Sequence, residues 1–275
     1  METVLQKGLL VAGLVVLALA LRSFAHSFFR KAGILAVLAA SYLGAYFVFR
    51  QHLAGVAAVL SWFFLPWVEL LTRIRGMRLP LEKKLEHTPP PSPQRFPSLE
   101  SITEEIEGLD FEYVDDVGWE WDSLEQFFRI FYSAKERLLT MACLNEQNQM
   151  GFVHLAISSR DREGNTWKTW DYPFSYALQS SPKLWLNRVE PGGSFADLKE
   201  AHLSFLGAHG LQVEDLVEEN LEQVNRVIEE EVRGQINHNL SRGIIRKSEG
   251  GTFRYSWRGL FFLWTQVLKD MVKLF

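Results

Sequence analysis

The side chains able to do chemistry are few and scattered. His202 and His209 share an expected helix with Asp197 and Glu200. Two metal ligands on a helix need a four-residue spacing to put both rings on one face. These histidines are seven residues apart, about 10 Å along the axis at ~1.5 Å per residue. One ion does not bridge that gap, so structural or capping roles fit them better. Asp115, Asp116, Glu120 and Asp122 form an acidic cluster without the glycine and closing glutamate of a calcium loop, and it reads as an acidic turn. Ser194 follows Gly192 and Gly193, but a nucleophile elbow needs glycine two residues before and two after the serine, and position 196 is alanine. Residues 191–194 also lack the lysine of a phosphate loop; Ser194 instead suits a helix cap. A hydrolase reading would draw on Asp171, His154 or His202, none of which has a nucleophile–base partner nearby in sequence, so the groups would have to converge in the fold. No catalytic residue, cofactor site or metal site is assigned.

Cys143 is the single cysteine, which excludes an intrachain disulfide and a cysteine-based zinc site and fits a reducing compartment. It lies in an expected strand, where a buried, inert thiol is usual.

The elements that would position these groups follow from periodicity. Residues 98–108 read as a short helix. Strand patterns cover residues 111–121, with a turn or bulge near Asp115, Asp116 and Gly118, then 127–133, 137–145, 151–159, 166–172 and 184–189. Ser194 caps a helix to about residue 209, and a long acidic helix is expected from 213 to about 240. Ile244–Arg246 and Phe253–Tyr255 flank Gly250 and Gly251 as a hairpin, and residues 256–275 form an amphipathic helix. Strands followed by helices argue an α+β domain around a mostly antiparallel sheet. Most of its many aromatics belong to the core, and some excess could line an apolar groove for a peptide or lipid.

Ahead of that domain stand three apolar runs, residues 4–21, 32–49 and 53–71. Each approaches the ~20 residues a helix needs to cross a bilayer. Ala18, Leu19 and Ala20 could instead end a signal peptide, but Lys7 is offset by Glu2 and two further apolar runs follow. In the second run Ala36, Ala40 and Gly44 repeat every four residues, a small-residue seam for close helix packing. Residues 79–97 hold six prolines and read as an extended, semi-rigid linker. The expected organisation is a three-helix membrane anchor at 1–78, the linker at 79–97 and the α+β domain at 98–275.

Charge divides the chain. Residues 1–84 carry net +7 and the remainder −11, so nucleic acid is not an expected partner of the acidic part. Lys and Arg gather in the first loop and after the third run, against Lys7 and Arg50 on the other side. The positive-inside rule then gives a multi-pass protein of the cell (inner or plasma) membrane, with its amino terminus outside and its large domain cytoplasmic. The expected function is a protein-interaction or scaffolding module. The rivals are a membrane-bound enzyme and an accessory component of a transport or export complex, although the three runs lack the buried charges of a pathway.

Partners beyond the bilayer would be a protein or a second copy, with any small-molecule ligand left open. Val217, Leu221, Val224 and Ile228, on the long acidic helix, are the candidates for a partner helix. Trp257, Phe261, Trp264 and Leu268, on the last helix, are candidates for the membrane interface. Reporter fusions after Phe275 and between Arg50 and Leu53 are expected to label opposite sides of the membrane. Signals from the same side would overturn the three-crossing topology.

Overall fold

The computed structural model describes residues 2–24, 26–122, 124–147, 150–174 and 177–274. The chain forms two compact units, Met1–Gly76 with Leu260–Phe275 and Met77–Gly259.

In the first unit, α1 (Glu2–Arg22), α2 (Ser27–Phe49) and α3 (His52–Thr72) are apolar along nearly their whole length. Among the described residues, three helices are long and apolar enough to cross a membrane. Ala36 and Ala40 on α2 are buried. A Cβ built on Gly44 would meet Val11 of α1 at 4.0 Å, and one on Gly33 would stand 3.0 Å from the Ala18 carbonyl, so small residues let these two backbones approach. On the other side of α2, the Tyr42 ring covers Gly55 and its hydroxyl lies 2.6 Å from His52 Nδ1. Pro66 inside α3 has no N–H for the turn before it. Beside that gap the Phe63 carbonyl accepts the Trp264 indole N–H at 2.8 Å, from α7 (Trp257–Leu274), and the Trp264 ring lies near Phe64 and Trp67.

The second unit is built on a seven-stranded sheet in the order β2 (Glu86–His87), β3 (Glu112–Trp121), β4 (Leu124–Ser133), β5 (Leu138–Gln147), β6 (Met150–Arg160), β7 (Thr166–Trp170), β8 (Leu184–Arg188). Neighbours are antiparallel except β7 and β8, which are parallel, so the sheet is mixed. The connection through residues 171–183 is long enough to return the chain to the starting end. The bulge expected in β3 is a register shift between Tyr113 and Asp115.

Alternation along β5 shows how both faces are used. Leu138, Ala142 and Leu144 point to one side, toward α4 (Leu99–Glu107) and α5 (Phe195–Ala208). Leu139, Met141 and Cys143 point to the other, toward α6 (Val224–Ser241) and Leu85. Ser194 and Asp197 close a reciprocal capping box at the start of α5.

Two expectations need correcting. The long acidic helix does not begin at residue 213. Leu216 is extended, the Val217 N–H bonds the Arg160 carbonyl at 2.8 Å, and Glu219 is buried against the Arg160 guanidinium. Pairing with the end of β6 pulls this stretch out of helical geometry, and α6 starts only at Val224. The proline-rich stretch at 79–97 is likewise not a free linker. It contributes β1 (Leu79–Pro80) and β2, and buries Leu85 and Phe96 in the domain.

A second, small sheet has the order β1, β10 (Thr252–Tyr255), β9 (Ile245–Ser248). Gly250 and Gly251 in its hairpin both have φ of +68°, which strongly favours glycine. Ser256 caps the start of α7, accepting the Gly259 N–H at 3.0 Å. A Cβ on Gly259 would lie 2.1 Å from the Ile244 carbonyl oxygen, which is backbone and cannot swing aside. Gly259→Ala is therefore expected to destabilise the domain by about 1–3 kcal/mol, the usual cost of overpacking. It should be read as a lowered melting temperature of the full chain in detergent; an unchanged melt would refute the close approach.

Candidate functional site

A cleft of about 780 Å³ opens on the second unit, between the stretch holding Pro89, Pro90 and Pro91 and the β3–β5 part of the sheet. Trp119, Phe127 and Leu144 supply apolar lining, and Glu82, Glu86, Glu120, Glu125 and Glu146 dominate the charged lining. Arg95 answers two of these. Its guanidinium is 2.7 Å from Glu125 and also binds Glu146, and those hydrogen bonds hold its proton more tightly than usual. Glu82, Glu86 and Glu120 are exposed and have no cation among the described residues.

Along this cleft β3 is an open edge. β2 pairs only with Val117 and Gly118, so Trp119 and Glu120, paired with β4 on one side, have no ladder partner on the β2 side among the described residues. The close fit of the proline stretch depends on Gly118, where a Cβ would meet Thr88 Oγ1 at 2.5 Å.

Gln126, which lines the cleft, belongs to a line of polar side chains crossing the sheet. The Lys83 ammonium donates to Gln126, the Gln126 amide donates to Asn145, and the Asn145 amide donates to His154 Nδ1 at 3.1 Å. Gln126 and Asn145 are register partners on β4 and β5. Among the described residues Lys83 has no carboxylate partner. It lies 4.4 Å from the Trp119 ring centre and 5.0 Å from that of Phe128, an aromatic cage that favours a cation. Burial lowers its ammonium to about 8. His154 sits among Phe152, Trp170 and Tyr172, and burial lowers it to about 4.

The groups of the hydrolase reading do not converge. By strand alternation His154 faces the α6 side, whereas His202 on α5 bonds Ser159 at 3.2 Å and Thr169 at 2.9 Å on the opposite face. His202 is wholly buried and likewise lowered to about 4. Asp171 accepts the Leu155 N–H at 2.6 Å, and burial raises its carboxyl. Cys143 is buried, which pushes its thiol up to about 12. Among the described residues no group of three His, Cys, Asp or Glu side chains could hold a metal.

The residues singled out in the sequence also stay apart. Ala36, Ala40 and Gly44 lie on α2. Val217 and Leu221 precede α6, while Val224 and Ile228 pack into the domain's own core against the sheet, so the four form no continuous helical face. On α7, Trp257 and Phe261 are exposed, while Trp264 and Leu268 are partly buried. The cleft residues went unnoticed in the sequence because glutamates on alternating strands look like a solvated face. Leu81, Leu85 and Phe96, spaced among the prolines, were the available signal that this stretch packs. Comparison with known protein families, curated proteins and solved structures finds no match for the chain.

The histidines make stability pH-dependent. Unfolded imidazoles take up a proton near 6.5 and these two only near 4. Between those values the unfolded chain binds more protons, so stability falls as pH drops through this window and the loss levels off below it. His154→Gln keeps an acceptor for Asn145 but cannot titrate. It is expected to show a shallower decline between those pH values in denaturant melts of the full chain, and an identical slope would count against a neutral buried His154.

Proposed function

We propose that this protein is a membrane-anchored interaction module. Helices α1–α3 cross the cell membrane, the domain of residues 77–259 is cytoplasmic, and its cleft receives an extended, basic segment of a protein partner. The observation that carries this reading is the juxtaposition of an open β3 edge with exposed Glu82, Glu86 and Glu120 in one cleft. An extended segment adding to that edge gains main-chain hydrogen bonds, and its alternate side chains meet the carboxylates. The aromatic and aliphatic lining from Trp119, Phe127 and Leu144 supplies apolar contact area. Support for the anchor comes from the many large apolar side chains exposed on α1–α3, including Leu9, Leu35, Leu53 and Phe64; so large an apolar surface is not left in water. The orientation rests on the basic residues flanking the helices.

Two measurements test the reading. The full chain should stay with membranes after alkaline carbonate extraction, and its release would remove the anchor. In detergent, a labelled peptide of alternating lysine and threonine should bind saturably by fluorescence anisotropy, where a glutamate-for-lysine control does not. Replacing Glu82, Glu86 and Glu120 together by Gln should weaken binding at least tenfold, on the order of 0.5 kcal/mol for each exposed pair. Equal binding by this variant would refute the cleft as the site.

A further inference from the structure

The small sheet carries charges that the acidic domain does not neutralise. Arg246 and Arg254 are direct cross-strand partners. Leu79 and Pro80 pair with Phe253 and Thr252, so continuing that register sets Arg78 beside Arg254. The Arg78 guanidinium reaches Ser248 Oγ at 2.8 Å, and Ser248, two residues from Arg246 on the same strand, shares its face. Three exposed arginines thus line up across β1, β10 and β9 on one side. The other side buries Ile245, Phe253 and Tyr255.

Like charges directly opposite on neighbouring strands repel. Elsewhere in this unit Arg95, Arg129 and Arg160 each have a carboxylate partner. Among the described residues none pairs with Arg78, Arg246 or Arg254, although residues 77–259 hold 30 acidic against 20 basic side chains. What sets the row apart is that its three guanidinium groups stand on adjacent strands of one face, close enough to meet one anionic group.

Covalent distance narrows which anion. Leu79 follows Thr72, the last residue of α3, by seven positions, at most about 25 Å of chain at ~3.5 Å per residue. Tyr255 precedes Trp257, the first residue of α7, by two. We propose that the Arg78–Arg254–Arg246 row is a docking face for the phosphates of anionic lipid headgroups. This rests on the reading of α3 as a membrane crossing. Guanidinium forks match phosphate oxygens, and basic residues next to a crossing are attracted to the anionic leaflet.

The test uses the full chain in nanodiscs of phosphatidylcholine, with and without phosphatidylglycerol. Amide exchange across residues 245–255 is expected to slow several-fold only in the anionic discs, and added salt should reverse the effect. Arg246→Gln with Arg254→Gln should abolish the difference, losing about fivefold in lipid affinity per arginine, while the double Lys variant keeps part of it. If the chain enters neither disc, the membrane anchor itself fails and the docking face with it. If it enters both and exchange is the same, only the arginine row is overturned. Slowing by heparin but not by phosphatidylglycerol would also overturn it, in favour of a soluble polyanion.

Discussion

A sheet of seven strands presents two apolar faces, and both must leave water. One is closed by α4 and α5, the other by α6 with help from Leu85 in the proline-rich stretch that opens the domain. That second closure governs much of the rest. It places Val224 and Ile228 against the sheet and removes α6 as a free helical face. It also recruits Leu85 to the same cluster, and the bond from the Leu85 N–H to Glu229 at 2.7 Å ties this early segment to α6. Because the segment is held, its neighbours Glu82, Lys84 and Glu86 become a fixed rim rather than a mobile tether.

The polar line is the cost of bringing Lys83 onto that surface. A buried ammonium is unfavourable unless its protons find acceptors and its charge finds partners. Here an amide oxygen and two aromatic faces take that role, and each amide passes a hydrogen bond onward until His154 accepts the last. The chain of donors has one direction. His154 must keep Nδ1 free of a proton to end it, which agrees with an imidazole held neutral by burial. Protonating His154 would break the last link and place a second positive charge near Lys168.

Local chemistry was well legible in the sequence. Strands β3 to β8 of the large sheet, the Ser194 cap, the glycine hairpin and the β3 bulge are set by residues close together in the chain, and periodicity and turn residues report them. The differences arise where distant residues decide. Residues 213–223 have a helical apolar pattern, yet Arg160, Asp161 and Arg137 capture their backbone and side chains, contacts no local pattern encodes. The prolines at 79–97 disfavour a helix but do not say whether an extended chain is free or docked. The parallel pairing of β8 depends on where a long connection returns. The cleft joins residues from four segments, so its acidic lining had no sequence neighbourhood in which to be recognised.

Charge placement gives the domain a direction. Its carboxylates outnumber its cations, so its surface as a whole is repelled by an anionic leaflet. On the proposed anchoring, such a domain is oriented less by its net charge than by where its uncompensated cations lie, since only these are drawn to the surface within a Debye length of about 8 Å. The ion pairs of Arg95, Arg129 and Arg160 cancel their own fields at short range. The three arginines of the small sheet form a concentrated positive source, with β1 starting seven residues after α3 and β10 ending two residues before the amphipathic α7. Glu82, Glu86 and Glu120 are the corresponding uncompensated negative source at the cleft. The two groups adjoin, since the Trp121 indole, next to Glu120, donates to the Arg78 carbonyl at 3.0 Å. The fold therefore sets an unpaired basic row and an unpaired acidic rim side by side, and a ligand of either sign meets the field of both within a Debye length.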